Sequence, residues 1–190
     1  MLAWIRNKFG DGRKTRAQAN RLLIAVLAQA RNPAFYKKGR VADTVTGRFD
    51  LVVLHAILAM RAMQRKPELV ALNQAFLDGL FMTIDDSFRE MGVADMRVPK
   101  KVREAAEAFY GRLGSYEEAL SQGGFAPLEA ALLRNIYGDQ NPGEAVLHDL
   151  AIYVIGSMGK LAITEASVWK AGKPQYAKPV FGGAKARKRK

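Results

Sequence analysis

The chain has 190 residues, 49% of them hydrophobic, no cysteine and a formal net charge of +12. That length suits one domain able to bury about 70% of its unfolded surface without disulfide staples. The missing thiols exclude a disulfide framework, a cysteine nucleophile and any Cys-ligated zinc or iron–sulfur centre.

The charge is uneven. Residues 1–40 carry net +9 and residues 172–190 net +7, which leaves residues 41–171 at −4. A mildly acidic body thus lies between two cationic ends, and such ends suit polyanions, either anionic lipid head groups or RNA phosphates.

The N-terminal segment, residues 1–13, opens "MLAWIRNKFG", where Arg6 and Lys8 interrupt any secretory apolar run. Leu2, Ile5 and Phe9 recur at helical spacing with Trp4 beside them. They read equally as a short interfacial helix or as an apolar cap on the core. A mitochondrial presequence ranks below both, for want of serine. Thr15 is read as the N-cap of a helix over 15–31 that closes before Pro33, and residues 32–47 as a loop.

A helix over 48–65 is apolar nearly all round and hence central. Its run "LVVLHAILAM" is far shorter than the ~20 residues of a membrane span. Pro67 opens a helix over 67–91 whose stripe runs Leu69, Leu72, Phe76, Leu80, Ile84, Phe88, Met91. Further helices are predicted over 98–113, 115–121 (capped by Ser115), 126–137 and 143–171. Residues 172–190 read as a disordered basic tail. The expectation is an all-α, single-domain bundle of six to seven helices spanning 14–171, with basic, partly disordered ends.

Catalytic chemistry is hard to assemble from these residues. His55 and His148 stand in different helices and outside any metal motif, and His55 is read as a hydrogen-bonded core histidine. His148 and Asp149 are neighbours in sequence, which turns them apart on a helix. Asp78, Asp85, Asp86 and Glu90 share roughly one helical face but lack the Glu-x-x-His partner of a carboxylate metal site, so they read as a solvated acidic face. Met60, Met63, Met82 and Met91 are read as core filler rather than axial ligands. With no phosphate cradle or nucleophile elbow either, the expectation is a non-enzyme without cofactor or metal. Lys185, Arg187, Lys188, Arg189 and Lys190 are a polyanion-binding tail of weak specificity; nothing points to DNA.

The most particular stretch is "REMGVADMRVPKK" (89–101). Gly92 ends one helix, Val93 tucks back and Asp95 is placed to cap the next. Around this joint stand Asp86, Arg89, Glu90, Asp95, Lys100, Arg103 and Arg112, with Phe109 and Tyr110. Such mixed charge and aromatic surface characterises partner-binding faces. The predicted partner-binding set is Asp86, Arg89, Glu90, Asp95, Lys100, Arg103, Tyr110 and Arg112.

"GRFDLVVLHAIL" (47–58), "DDSFREMGVADMRVPKKV" (85–102) and "EAFYGRLGSYEEAL" (107–120) resemble, in order and spacing, the ubiquinol–cytochrome c chaperone family. The family's glycine in "GV-x-D" is Ala94 here. The resemblance covers most of residues 30–165. It implies an all-α fold and a non-enzymatic assembly factor for the respiratory cytochrome bc complex (complex III) that binds newly made cytochrome b. Mitochondrial members work with a small partner protein beside the ribosome. The short N-terminus looks bacterial, which implies a place at the inner face of the cytoplasmic membrane, or the mitochondrial inner membrane and matrix in a eukaryote. The competing expectation is a ribosome- or RNA-associated protein that binds mainly through its basic ends.

Overall fold

The structure, a computed structural model, describes residues 2–182, with side chains over 12–182. The side chains of Leu2, Trp4, Ile5 and Phe9, and the whole polyanion set Lys185, Arg187, Lys188, Arg189 and Lys190, lie outside the described residues.

Helix α1 runs Leu2–Ala30. It passes through Thr15 without a break, so Thr15 is not an N-cap. Gly10 and Gly12 weaken a helix by only about 1 kcal/mol each, and no proline intervenes until Pro33. The stretch read as a loop contains α2 (Pro33–Lys37), where Asn32 accepts from the Ala34 N–H and proline occupies the first turn.

Helix α3 (Val45–Gln64) is capped by the Thr44 hydroxyl, 3.1 Å from the Gly47 N–H. Gly47 has a steric reason too: a Cβ there would run into the Ala42 carbonyl. A 3₁₀ turn (Pro67–Leu69) leads into α4 (Val70–Glu90).

Helix α5 runs unbroken from Val98 to Gln122. The expected break at Ser115 is absent, because the Ser115 hydroxyl instead receives Arg134 Nη2 (2.6 Å) and Asn135 Nδ2 (3.0 Å). Helix α6 (Ala126–Leu132) widens into a π-turn, Leu133–Tyr137, closed by the Gly138 N–H on the Leu133 carbonyl.

The expected helix over 143–171 is two helices, α7 (Glu144–Ile163) and α8 (Ala166–Lys170). Thr164 turns extended between them, its hydroxyl spent on the Lys160 carbonyl, and Trp169 of α8 is fully buried.

Residues 172–182 correct the reading of a disordered tail. They form an extended segment laid along α7. Tyr176 donates its hydroxyl to the His55 carbonyl (2.9 Å), the Ala177 N–H donates to Ser157 Oγ (3.1 Å), and the Gly182 N–H donates to Asp149 Oδ2 (2.8 Å). Phe181 is buried edge-on against Phe35. Lysine, proline and glycine here mask two aromatic anchors whose burial offsets the ordering cost.

The fold is all-α and a single domain, with no strand among the described residues. Helix α3 is its axis: α1, α4, α5 and α7 all pack on it, and 13 of its 20 residues are buried, which is why its apolar character runs all round.

The polar groups inside α3 are satisfied. His55 Nδ1 lies 2.6 Å from the Leu51 carbonyl, which can only accept, so Nδ1 carries the proton. Nε2 then accepts from the Tyr153 hydroxyl (2.7 Å), which itself receives Gln29 Nε2 (3.0 Å). Burial lowers the His55 pKa to about 4, with the Leu51 hydrogen bond opposing, and pushes Tyr153 up to about 12. With both nitrogens committed, His55 is a core histidine.

Candidate functional site: the α4–α5 tip

Packing thins along α4. Leu72, Phe76 and Leu80 are buried, but between Leu80 and Ala105 the only buried residue is Val98. The chain turns between the two helices through a Schellman closure: the Val93 N–H reaches the Phe88 carbonyl (3.0 Å) and the Gly92 N–H the Arg89 carbonyl (2.9 Å). Gly92 adopts φ +80°, a left-handed conformation that disfavours a side chain.

Arg89 spans this turn. Its Nε donates to Asp85 Oδ2 (2.7 Å) and its Nη1 to Asp95 Oδ1 (2.6 Å). Those carboxylates hold the guanidinium pKa above its usual value, Asp85 contributing most. Asp95 is therefore not the cap of α5. The cap position is Arg97 with no side-chain bond, and the Asp95 carboxylate faces back to α4. Val98 and Pro99 open α5.

The predicted residues divide into two groups. Asp86, Arg89, Glu90, Asp95, Lys100, Arg103 and Tyr110 are all exposed on the two helices and the turn. Tyr110 stacks on Phe81 (centroids 6.4 Å, 25° between planes), and Phe81 meets the buried Phe109 edge-on. The charges are sorted: Asp78, Asp85, Asp86 and Glu90 lie on α4, and Arg97, Lys100, Lys101 and Arg103 at the start of α5, where Lys101 pairs with Glu104 (2.7 Å).

Arg112 does not join them. It turns inward, Nη2 donating to Asp50 Oδ1 of α3 (2.7 Å) and the guanidinium lying over Phe49. Burial raises the Asp50 pKa against the pull of Arg112. Arg112 is a strut between α5 and α3, and its place in the partner set is corrected accordingly.

Sequence reasoning missed the methionines. Met82, Met91 and Met96 were assigned to the core or passed over, yet they are 67%, 52% and 95% exposed. The signal was available for two of them: Met82 falls off the Leu80–Ile84 stripe, and Met96 sits in the turn. Flexible, polarisable methionines suit a surface that must fit an irregular apolar partner. What the tip offers chemically is a surface: exposed apolar side chains beside the acidic residues of α4 and the basic residues at the start of α5. Among the described residues no group of three or more histidines or acids could hold a metal.

A family model described as ubiquinol-cytochrome C chaperone matches residues 37–176. Among solved structures, the crystal structure of the Cbp3 homolog from Brucella abortus is similar, with 32% identity and a TM-score of 0.79. The alignment covers 94% of this chain and 97% of that one. No curated protein matches.

Proposed function

The chain belongs to the ubiquinol-cytochrome C chaperone family, which supports a chaperone role in complex III assembly, and on that premise we propose that its client is newly made cytochrome b, held without catalysis by the α4–α5 tip. The observation that carries the site is the exposure of Met82, Met91 and Met96 where burial is confined to Val98. A membrane-protein client not yet inserted or paired presents apolar segments bounded by charge, and a methionine surface beside opposite charges is complementary to such segments. The place of work is the inner face of the cytoplasmic membrane, where the cationic ends face anionic lipid.

Cytochrome b should co-purify with the tagged protein at moderate salt. Arg103→Glu, or Met82→Gln with Met96→Gln, should reduce recovery about tenfold, one central contact being worth more than about 1 kcal/mol. Helix content should not change. Undiminished recovery with both variants removes the tip from consideration. The ribosome- or RNA-bound reading rests on the sequence of the cationic ends; it requires binding that collapses with salt and with removal of residues 183–190.

A further inference from the structure

Helix α7 has one face too many for a core helix. Over 18 of its 20 residues the mean hydropathy reaches 1.4, yet only a third of that stretch is buried. Leu150, Tyr153, Val154, Ser157 and Leu161 supply the inward face, against α3 and α6. On the other side Ile152, Ile155 and Ile163 are 48%, 40% and 82% exposed, with Gly159 open between them. At about 100° per residue these four positions fall within about 80° of arc. His148 lies in the same arc one turn earlier, and the partly exposed Phe125 leans on its ring (centroids 4.7 Å). From Ile152 to Ile163 the result is an apolar stripe roughly 17 Å long at 1.5 Å per residue.

Cations flank the stripe on both sides. Arg61 of α3, paired with Glu117 (3.1 Å), and Arg65 just past the end of α3 line a shallow groove with Met158 and Ala162 of α7. Opposite stand Lys160, on α7 itself, and Lys178, next to the Ala177 that bonds Ser157. Arg65, Lys160 and Lys178 have no acidic partner among the described residues. Glu144 and Glu165 stand at the two ends of α7, and Glu129 of α6 accepts from His148 Nδ1 (2.6 Å) before the first isoleucine. The Gly182–Asp149 bond holds the chain beside the first turns of α7. From there the sequence adds Lys185, Arg187, Lys188, Arg189 and Lys190. The eight residues 183–190 reach at most about 28 Å, more than the length of the stripe.

We propose that the outward face of α7, Ile152, Ile155 and Ile163 with their flanking cations, docks in the plane of an anionic lipid surface. This extends the membrane reading above from the cationic ends to a built apolar face. The chemistry is that of interfacial helices, in which a shallow apolar insertion and attraction to anionic head groups act together and neither suffices alone. A second copy fits less well, since a two-fold contact through this face would set like charges against each other. Nor can α7 itself span, because its inward face is part of the core.

The test is flotation of the full-length protein with vesicles of phosphatidylcholine alone or mixed with phosphatidylglycerol, at low and moderate salt. The protein should float with the anionic vesicles only. Ile155→Gln with Ile163→Gln, both exposed positions, should lower partitioning at least about tenfold, since each isoleucine contributes only part of its full burial energy. Removal of residues 183–190 should lower the salt-sensitive part without abolishing it, since Arg65, Lys160 and Lys178 remain, and Met82→Gln with Met96→Gln should change nothing. Flotation undiminished by the isoleucine pair overturns the α7 face while sparing the basic-end reading. Absence of flotation by the unaltered protein overturns both. The face is also overturned if the isoleucine pair changes the oligomeric state, or if it abolishes cytochrome b capture while vesicle binding persists. Loss of capture by the tip variants alone leaves the two readings separate.

Discussion

Two stretches of similar length handle charge in opposite ways. In α3, 13 of 20 residues are buried, and the two ionisable groups inside, Asp50 and His55, are each bonded within the fold. Over residues 81–104, at the α4–α5 tip, only Val98 is buried and the charges pair with one another at the surface. A charge in α3 holds the structure; a charge at the tip is available to something else. Removing the first should cost stability and removing the second should cost binding.

The largest effect is expected at the Asp50–Arg112 pair, with side chains only 7% and 21% exposed. Asp50→Ala leaves a mostly buried guanidinium unpaired, and Arg112 Nε already has no partner, so the loss should be about 3–5 kcal/mol in denaturant unfolding. Replacing both, Asp50→Leu with Arg112→Met, should recover most of it, because apolar packing avoids the desolvation of two ions. A double variant as unstable as the single one would mean that the pair supports α3 in some way beyond its charge.

His55 separates the regions by pH. Its folded pKa is about 4 and its unfolded value 6.5, so the unfolded chain binds the extra proton. The contribution is complete above pH 6.5 and is lost as pH falls towards 4, by about 3 kcal/mol over that window. Asp50, raised by burial, acts in the opposite direction, gaining relative stability as it protonates. The His55 ring resonances should therefore keep their neutral form down to about pH 4. His55→Gln should flatten the dependence of stability on pH between 6.5 and 4. A ring that titrates near 6.5 would mean that water reaches it.

The same contrast explains what was legible in the sequence. Helices α3 and α4 were found to within a few residues, because a core helix writes its burial into a 3.6-residue stripe. The joint was legible because Gly92 and Pro99 encode local backbone geometry. What failed depended on distant partners. Asp50, 62 residues from Arg112, turned a presumed surface arginine inward. Ser115 looked like a cap until Arg134 and Asn135 claimed it. Residues 172–182 looked disordered because Tyr176 and Phe181 find their places only on α3, α7 and α2. Of the tip residues named, all but Arg112 are exposed, and the exposed methionines were missed, since hydrophobic character alone cannot distinguish a core from an open apolar surface.

At the tip, Gly92→Ala should destabilise by about 1 kcal/mol, because a Cβ at φ +80° strains the backbone while the space around it is empty.

The smallest effect on stability belongs to Arg89. It is about half exposed, and its partners Asp85 and Asp95 are 33% and 88% exposed, so solvent and salt screen both pairs. Arg89→Ala should leave the unfolding midpoint unchanged within error. Yet the ion pairs of Arg89 tie α4 to the turn, and cutting them frees two carboxylates at once, Asp85 on α4 and Asp95 in the turn. Client capture should therefore fall. Asp95→Ala removes only one arm and leaves the guanidinium on Asp85, so its effect separates two roles. If Asp95→Ala reduces capture as much as Arg89→Ala, the bridge across the turn matters and Arg89 is a positioning residue. If Asp95→Ala is silent while Arg89→Ala is not, the guanidinium itself meets the client. If both are silent, the charges of the joint do not meet the client, and whatever binding the tip supports rests on Met82, Met91 and Met96.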